Sequence, residues 1–529
     1  MTRTRPRHLR QLRHLAALVT TVLLTATLLG APGASSASAG GPRGGSTDVA
    51  PLTAVTAESA ATPEALLQRA RRVVAPRPGE QVTPADGEHA TFLMRDLFSA
   101  LPDLDPEERA LAEVILARPT DGASDPQGNG YSVPSVKRCT KRVCLHHVRS
   151  TADAPPSEAW ATYSLKILDK VYRFETGKLG YRKPVADRKF GGNSKFDVYL
   201  KDLGTGLYGY CVPEYYKPGS RKVASGYCVV DNDFSSTQFS GKPKDNLRVT
   251  LAHEFFHAVQ FAYDFTEDQW FMESTAVWME ERFADGVNDN RQYLPIGQTR
   301  LPHVPLDTFA DPGVHYGNWT FWEYLSSRMG NRVVRDVWER ADANRGRADQ
   351  YSAQALRSAL AERGGLTRRY TAFAAANLMP GKNYAEGEAW PAAITRGTRE
   401  LGKQQRRTRF RVRVDHLASA SYVVRPDSSM GKKWKLRVVV KGPARGSSPG
   451  AYVTVRTTKG ALQRKPVTLT RKGVGKVVVP FSAKRVRAVY LTVANASTRY
   501  RCGRGTTYSC RGVARDDDRR FSLKVSTFR

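Results

Sequence analysis

His253, Glu254 and His257 stand together as H-E-F-F-H near the middle of a 529-residue chain. On an α-helix, residues four apart share a face, so both imidazoles can reach one ion. Glu254 follows the first histidine and can lie beside a water activated by that ion, as its general base. The bland alternative is two histidines and a glutamate on a solvated helix face. The flanks argue against it. Leu247, Leu251, Phe255, Ala258, Val259 and Ala262 recur at three and four residues, which predicts a buried stripe behind the ligands. Asp245 or Asn246 is placed to cap the start of that helix.

A zinc site needs a third protein ligand and keeps its fourth position open. The extended H-E-x-x-H-x-x-G-x-x-H pattern is absent, because Gln260 and Tyr263 stand where its Gly and last His would be. Residues 270–280 open a second apolar-periodic helix with Glu273 near its beginning; Glu267, Glu280 and Glu281 are the competing carboxylates. Here the chain resembles the gluzincin metallopeptidases, in which a second helix supplies a glutamate ligand. Trp270, Glu273, Ala276 and Glu280 match the W-x-x-E-x-x-A pattern, with a further glutamate seven residues on, of the aminopeptidase branch. The resemblance implies Glu273 as third ligand to one zinc ion and Glu280 as a supporting partner behind the ligands. It also implies a tyrosine beyond the glutamate ligand as oxyanion donor. Tyr316 is the nearest equivalent, with His315 and Tyr324 as competitors. Residues 258–272 between His257 and Glu273 form a shorter connection than thermolysin's. The stretch from about His146 to Gly330 is loosely similar to a family of secreted bacterial zinc metalloproteases.

These readings predict an α+β fold: a zincin-like metallopeptidase domain followed by a C-terminal all-β sandwich. The expected activity is a secreted zinc-dependent endopeptidase acting on proteins or peptides. One rival is a polyanion- or cell-surface-binding protein whose zincin core is inactive. Another is a zinc aminopeptidase, against which stands the lack of a G-x-M-E-N type strand.

Several elements must position the site. Residues 1–39 read as a signal peptide: a basic front, an apolar run over 15–29, and Ala37-Ser38-Ala39 as a small-residue cleavage site. No later run is long and apolar enough to span a bilayer, so the mature chain is expected to be exported without a transmembrane segment. Residues 40–130 read as a helical pro-region or N-terminal subdomain, with helices over 63–74 and 90–117, the second split at Pro102. The polar stretch 121–129 is a candidate boundary or processing site. Residues 131–404 form the expected catalytic domain, with strands at 143–148, 195–200 and 226–230 and a helix over 158–179. Such a sheet offers an edge for an extended peptide. A strand puts neighbours His146 and His147 on opposite faces, so at most one could point at a given site, and they read as surface or packing histidines. Asp231-Asn232-Asp233 offers oxygens of the kind calcium takes but lacks an EF-hand frame and reads as a turn.

All six cysteines fall in close sequence pairs: Cys139 with Cys144, Cys211 with Cys228, and Cys502 with Cys510. Fifteen pairings are open in principle. Local clips are the economical expectation and suit an oxidising compartment. The last segment, 405–529, carries 31 Lys and Arg against five Asp, a net of +26 within a chain of +32. Its β-branched runs between Gly, Pro and Ser predict a sandwich with basic residues turned outward. That charge implies attraction to an anionic wall polymer or another polyanionic surface, and the sequence suggests no part for this segment in bond cleavage.

Overall fold

Runs of buried β-branched and aromatic residues build the first sheet of the computed structural model, which describes residues 62–77, 80, 82, 87, 89–120, 130–310 and 312–529. The expected signal peptide and the 121–129 boundary lie outside the described residues. β1 (Val136–Cys139), β2 (Val143–His147), β3 (Phe196–Lys201), β4 (Gly209–Tyr216) and β5 (Ala224–Asp231) pair in the order β1-β2-β3-β5-β4. β2, β3 and β5 run parallel, and each outer strand is antiparallel to its neighbour. The three parallel strands are buried at every residue, as strands covered on both faces should be. β1 and β4 escaped the sequence reading. β1 is Val-Lys-Arg-Cys, and β4 contains Pro213, which only an edge strand tolerates.

The front of the described chain is helical. α1 (Pro63–Val74) has Thr62 as its N-cap, and α2 (Ala90–Ala100) ends in a 3₁₀ turn containing Pro102. α3 (Pro106–Ile115) is capped by Asp105, whose carboxylate accepts from the amides of Glu107 and Glu108. α4 (Glu158–Tyr172), capped by Ser157, and α5 (Pro243–Asp264) pack against the sheet. The expected cap of α5 is displaced. The helix starts at Pro243, Asp245 lies in its first turn, and Asn246 donates to the Ser240 carbonyl instead. Nor is α5 amphipathic: from 246 to 264 only Arg248 and His253 are not buried, the pattern of a helix enclosed on all sides. α6 (Gln269–Ala284) packs on α5. Beyond it, α7 (Trp319–Met329), α8 (Arg332–Arg340), α9 (Ser352–Leu360) and α10 (Leu366–Ala376) complete a helical body.

The C-terminal region is a two-sheet sandwich. β6 (Thr398–Leu401), β8 (Ala418–Pro426), β10 (Pro449–Thr457), β11 (Leu462–Pro466) and β13 (Val486–Asn495) form one sheet, ordered β11-β10-β13-β8-β6. β7 (Arg407–Val414), β9 (Lys435–Lys441), β12 (Val474–Pro480) and β16 (Arg519–Phe528) form the other, ordered β12-β9-β16-β7. β14 (Tyr500–Arg501) and β15 (Val513–Ala514) make a small ribbon. Leu436, Val438, Val453, Leu491 and Leu523 fill the space between the sheets. The sandwich therefore begins at β6, a few residues before the expected boundary at 405.

It is also not a detachable appendix: body and sandwich lie in one compact unit. The five-stranded sheet rests on α10, so closely that any side chain at Gly450 would collide with Thr371. Buried Asp307 accepts from Tyr500 Oη (2.6 Å), Ser509 Oγ (2.8 Å) and the Ser509 amide (3.1 Å), and pairs with His416 (3.0 Å). Burial opposes its charge, yet His416 and these donors hold the carboxyl below its usual value. The three disulfides join the sequence neighbours, Cys139–Cys144, Cys211–Cys228 and Cys502–Cys510.

Candidate metal centre

α5 and α6 are joined by a connection of four residues, 265–268, so the first turn of α6 returns to the face of α5 that carries the histidines. One ligand atom from each of His253, His257 and Glu273 lies within 4.8 Å of the others. His253 Nε2 is 3.1 Å from Glu273 Oε2, and His257 Nε2 is 3.6 Å from Glu273 Oε1. The edge of a tetrahedron with ligand bonds of about 2.1 Å is about 3.4 Å, so the spacing fits a zinc-sized cation.

The far side of each imidazole fixes which nitrogen faces the centre. His253 Nδ1 is 2.6 Å from Glu280 Oε1, and His257 Nδ1 is 2.8 Å from Gln260 Oε1. With a proton on each Nδ1, both Nε2 lone pairs face Glu273. Glu273 Oε2 is buried and takes no hydrogen bond of acceptable direction. Three lone-pair donors converging in a buried space repel one another unless a cation or a proton lies between them. The donor set therefore fits a metal, and nitrogen with carboxylate oxygen suits zinc.

Electrostatics point the same way. Burial lowers the His257 pKa to about 4, with the His253 charge adding to that and Glu273 opposing it. His253 is driven well above its usual value: burial works against its charge, but Glu273 and Glu280 outweigh it. Without metal the centre thus keeps a proton on His253. Glu254 is buried, and that burial, with Glu273 nearby and His253 opposing, pushes its carboxyl up to about 8.

The rival carboxylates are engaged elsewhere. Glu267 accepts from the amides of Asp268 and Ser352, and Glu281 accepts from Asn290 and pairs with Arg282. Tyr316 lies at the site: its ring centroid is 6.4 Å from that of His253, and it lines, with His253, Glu254 and Gly209, a cavity of about 790 Å³. Tyr324 packs on Phe373 and Arg328, away from this cavity. His315 is buried and stacked on Phe309 at 4.1 Å, with neither ring nitrogen hydrogen-bonded among the described residues. His146 pairs with Asp197 (2.7 Å) and His147 with the Val148 carbonyl (3.1 Å). Asp231 takes the amides of Asp233 and Phe234 while Asn232 donates to the carbonyls of Ala152 and Ala154, a closed turn.

Two features were missed in the sequence. Gln260, three residues after His257, ties that ligand to α6 by also donating to the Met272 carbonyl (2.9 Å); its i, i+3 spacing was the available signal. The second is the edge strand. β4 passes so close to α5 that a Cβ at Gly209 would lie 2.9 Å from Glu254 Cγ. The Cys211–Cys228 disulfide clips β4 to β5 at this point. α2 lies along β4. Thr91 Oγ1 accepts the outward amide of Cys211 (3.0 Å) and reaches Glu254 Oε2 (3.4 Å). Phe92 stands edge-on to His257 at 5.9 Å. Past α3, buried Arg118 pins this segment to Asp187 (2.8 Å), Asp197 (2.6 Å) and Glu214 (2.5 Å).

No family model and no curated protein matches the chain. Among solved structures, a surface-associated copper-binding protein of Methylomicrobium album BG8, CorA, aligns at 13% identity over 25% of this chain and 96% of its own, with a TM-score of 0.15. A GH115 4-O-methyl-α-glucuronidase specific for decorated arabinogalactans aligns at 8% identity over 66% of this chain and 54% of its own, with a TM-score of 0.12. At those scores neither likeness bears on fold or function.

Proposed function

We propose that the chain is a zinc-dependent endopeptidase of zincin type, exported as a latent form. The observation that carries the reading is the convergence of His253, His257 and Glu273, with Glu254 one residue from the first ligand at the mouth of the same cavity. Zinc held there would polarise the scissile carbonyl and make water more acidic. Glu254 takes the proton of the attacking water and delivers it to the leaving amine. Glu280 and Gln260 keep both imidazoles turned with Nε2 inward. Tyr316, on the cavity wall and beside His253, is assigned as donor to the developing oxyanion.

A substrate would bind extended along β4, using outward backbone groups such as the Cys211 amide. That edge is covered by α2, and Thr91 holds both the amide and the general base. Residues 40–130 are accordingly a pro-region in this reading, and turnover requires their displacement. The test compares zinc content and peptide hydrolysis for wild type and Glu254→Gln, each after proteolytic release of the N-terminal segment. Wild-type turnover and a zinc-loaded, inert variant are expected. Full activity in Glu254→Gln would refute the assignment.

A further inference from the structure

The two sheets of the sandwich have unlike outer faces. The five-stranded sheet is covered by α10, whereas the four-stranded sheet turns its outer face to solvent. On β7, an edge strand, Arg407, Arg409, Arg411 and Arg413 all point outward and are exposed. On the adjoining β16, Arg520 and Lys524 point the same way. Register sets Arg520 directly opposite Arg413, and Lys524 directly opposite Arg409. On β9 the row continues with exposed Lys441, opposite Ser522.

Like charges placed directly across a sheet destabilise it. Among the described residues the fold compensates for this arrangement only at its rim. Arg413 pairs with Asp518 at the rim, and among the described residues Arg407, Arg411, Arg520 and Lys524 have no carboxylate within ion-pair distance. Edge strands are often blunted with scattered lysines, but four successive arginines are not scattered charge. Guanidinium groups present a planar fork suited to bidentate binding of phosphate. Alternate residues on a strand lie about 6.7 Å apart, so the four arginines form a straight row of about 20 Å. Between Arg409, Arg411, Arg413, Lys441 and Arg520 lies a shallow cavity of about 740 Å³.

We infer that this face docks the protein on a linear phosphodiester polymer laid along β7. The straight row of single charges matches a chain with regularly spaced phosphates. The face offers no open aromatic ring on which a base could stack: its outward aromatic, Phe528, is half-buried with the Arg437 guanidinium over its ring at 4.4 Å. A bilayer surface is served less well, because among the described residues the one exposed large apolar side chain of the sheet is Val474, opposite Lys441, too little to insert. Docking of this kind is independent of the peptidase reading, because no residue of the face approaches the metal centre.

The test uses the full chain and a glycerol-phosphate polymer. A variant carrying Arg409→Gln, Arg411→Gln, Arg520→Gln and Lys524→Gln is compared with one carrying Lys166→Gln, Lys170→Gln, Lys178→Gln and Lys183→Gln. The second removes the same charge from exposed positions on the body. With about six phosphate contacts, wild-type affinity should fall about 300-fold between 50 and 200 mM salt, at a slope of about −0.7 per contact. The face variant should fall only about 7-fold over that range and bind about 100-fold or more weakly at 100 mM salt. Its Tm should equal or exceed that of wild type, since two like-charge pairs are relieved. The body variant should bind like wild type. Equal losses in both variants would reduce the effect to net charge and overturn the inference. So would unchanged binding in the face variant, or tighter binding to vesicles containing phosphatidylserine than to the polymer.

Discussion

Gln260 offers a sharp test of the metal centre, because the ligand it hydrogen-bonds is His257. In Gln260→Leu the His257 Nδ1–H loses its acceptor 2.8 Å away, and the Met272 carbonyl loses its donor at 2.9 Å. Both groups are buried. Losing the partner that orients a ligand histidine costs about 10- to 100-fold in metal affinity, or about 1.4–2.7 kcal/mol. Leaving the buried His257 Nδ1–H unpaired costs about 1–3 kcal/mol in stability, whereas the Met272 carbonyl keeps the Thr275 hydroxyl at 3.1 Å. Gln260→Glu keeps an acceptor for Nδ1–H but turns a carboxylate oxygen towards the Met272 carbonyl. It should therefore restore zinc affinity while stability stays low. Zinc dissociation constants from competition with a chromophoric chelator, read beside Tm of the metal-free proteins, separate the two effects. Wild-type zinc affinity in Gln260→Leu, or no recovery of affinity in Gln260→Glu, would refute the assignment of Nε2 as the metal-facing atom of His257.

Purified protein should carry about one zinc per chain, and His257→Ala should lose it, as elemental analysis would show. Glu273→Ala should weaken zinc binding far more than Glu280→Ala, whose cost should stay within about 10- to 100-fold; the reverse order would mean the third ligand is misassigned. The pKa of His253 is raised in the metal-free fold, so its contribution to stability is complete below about 6.5 and is lost as pH climbs through the folded value. Glu254, raised to about 8, acts in the same sense from about 4.5 upward. Metal-free protein should accordingly lose stability between pH 6 and 8, while zinc affinity rises with pH and uptake releases protons, measurable by calorimetry in two buffers. Cleavage engineered within residues 121–129, followed by removal of the N-terminal fragment, should raise peptide hydrolysis at least about tenfold, and adding the fragment back should reverse it. Equal activity before and after removal would separate the pro-region reading from the peptidase reading.

The centre was largely legible because its chemistry is local: i, i+4 histidines and a glutamate at the start of the next helix are sequence patterns. The supporting residues were less so. Gln260 looked like a departure from another family's pattern, and its use emerges only when α6 folds back on α5. β4 was hidden by Pro213 and by tyrosines that do not alternate, since an edge strand carries a weaker pattern than a buried one. The N-terminal helices were readable from their caps and apolar spacing. That α2 lies on β4 was not, because contacts over 100 residues apart leave no periodicity. The basic sandwich was visible in composition, but its division into one covered and one cationic face required the register.

Truncating the chain near residue 403 would be the obvious way to isolate the centre, and the structure argues against it. Trp270 Nε1 donates to Ser509 Oγ (3.1 Å), and the Cys510 amide donates to Asp268 (2.8 Å). Asp268 and Trp270 belong to the start of the helix that presents Glu273. The loop closed by Cys502–Cys510 thus completes a helix that begins more than two hundred positions earlier. A chain emerging from its N-terminus carries the two histidines long before it carries what sets their third partner. In the proposed peptidase, metal retention would consequently report on the last thirty residues: a nick or frameshift there would weaken the centre without touching it, and a chain still being synthesised would lack what holds Glu273 in place.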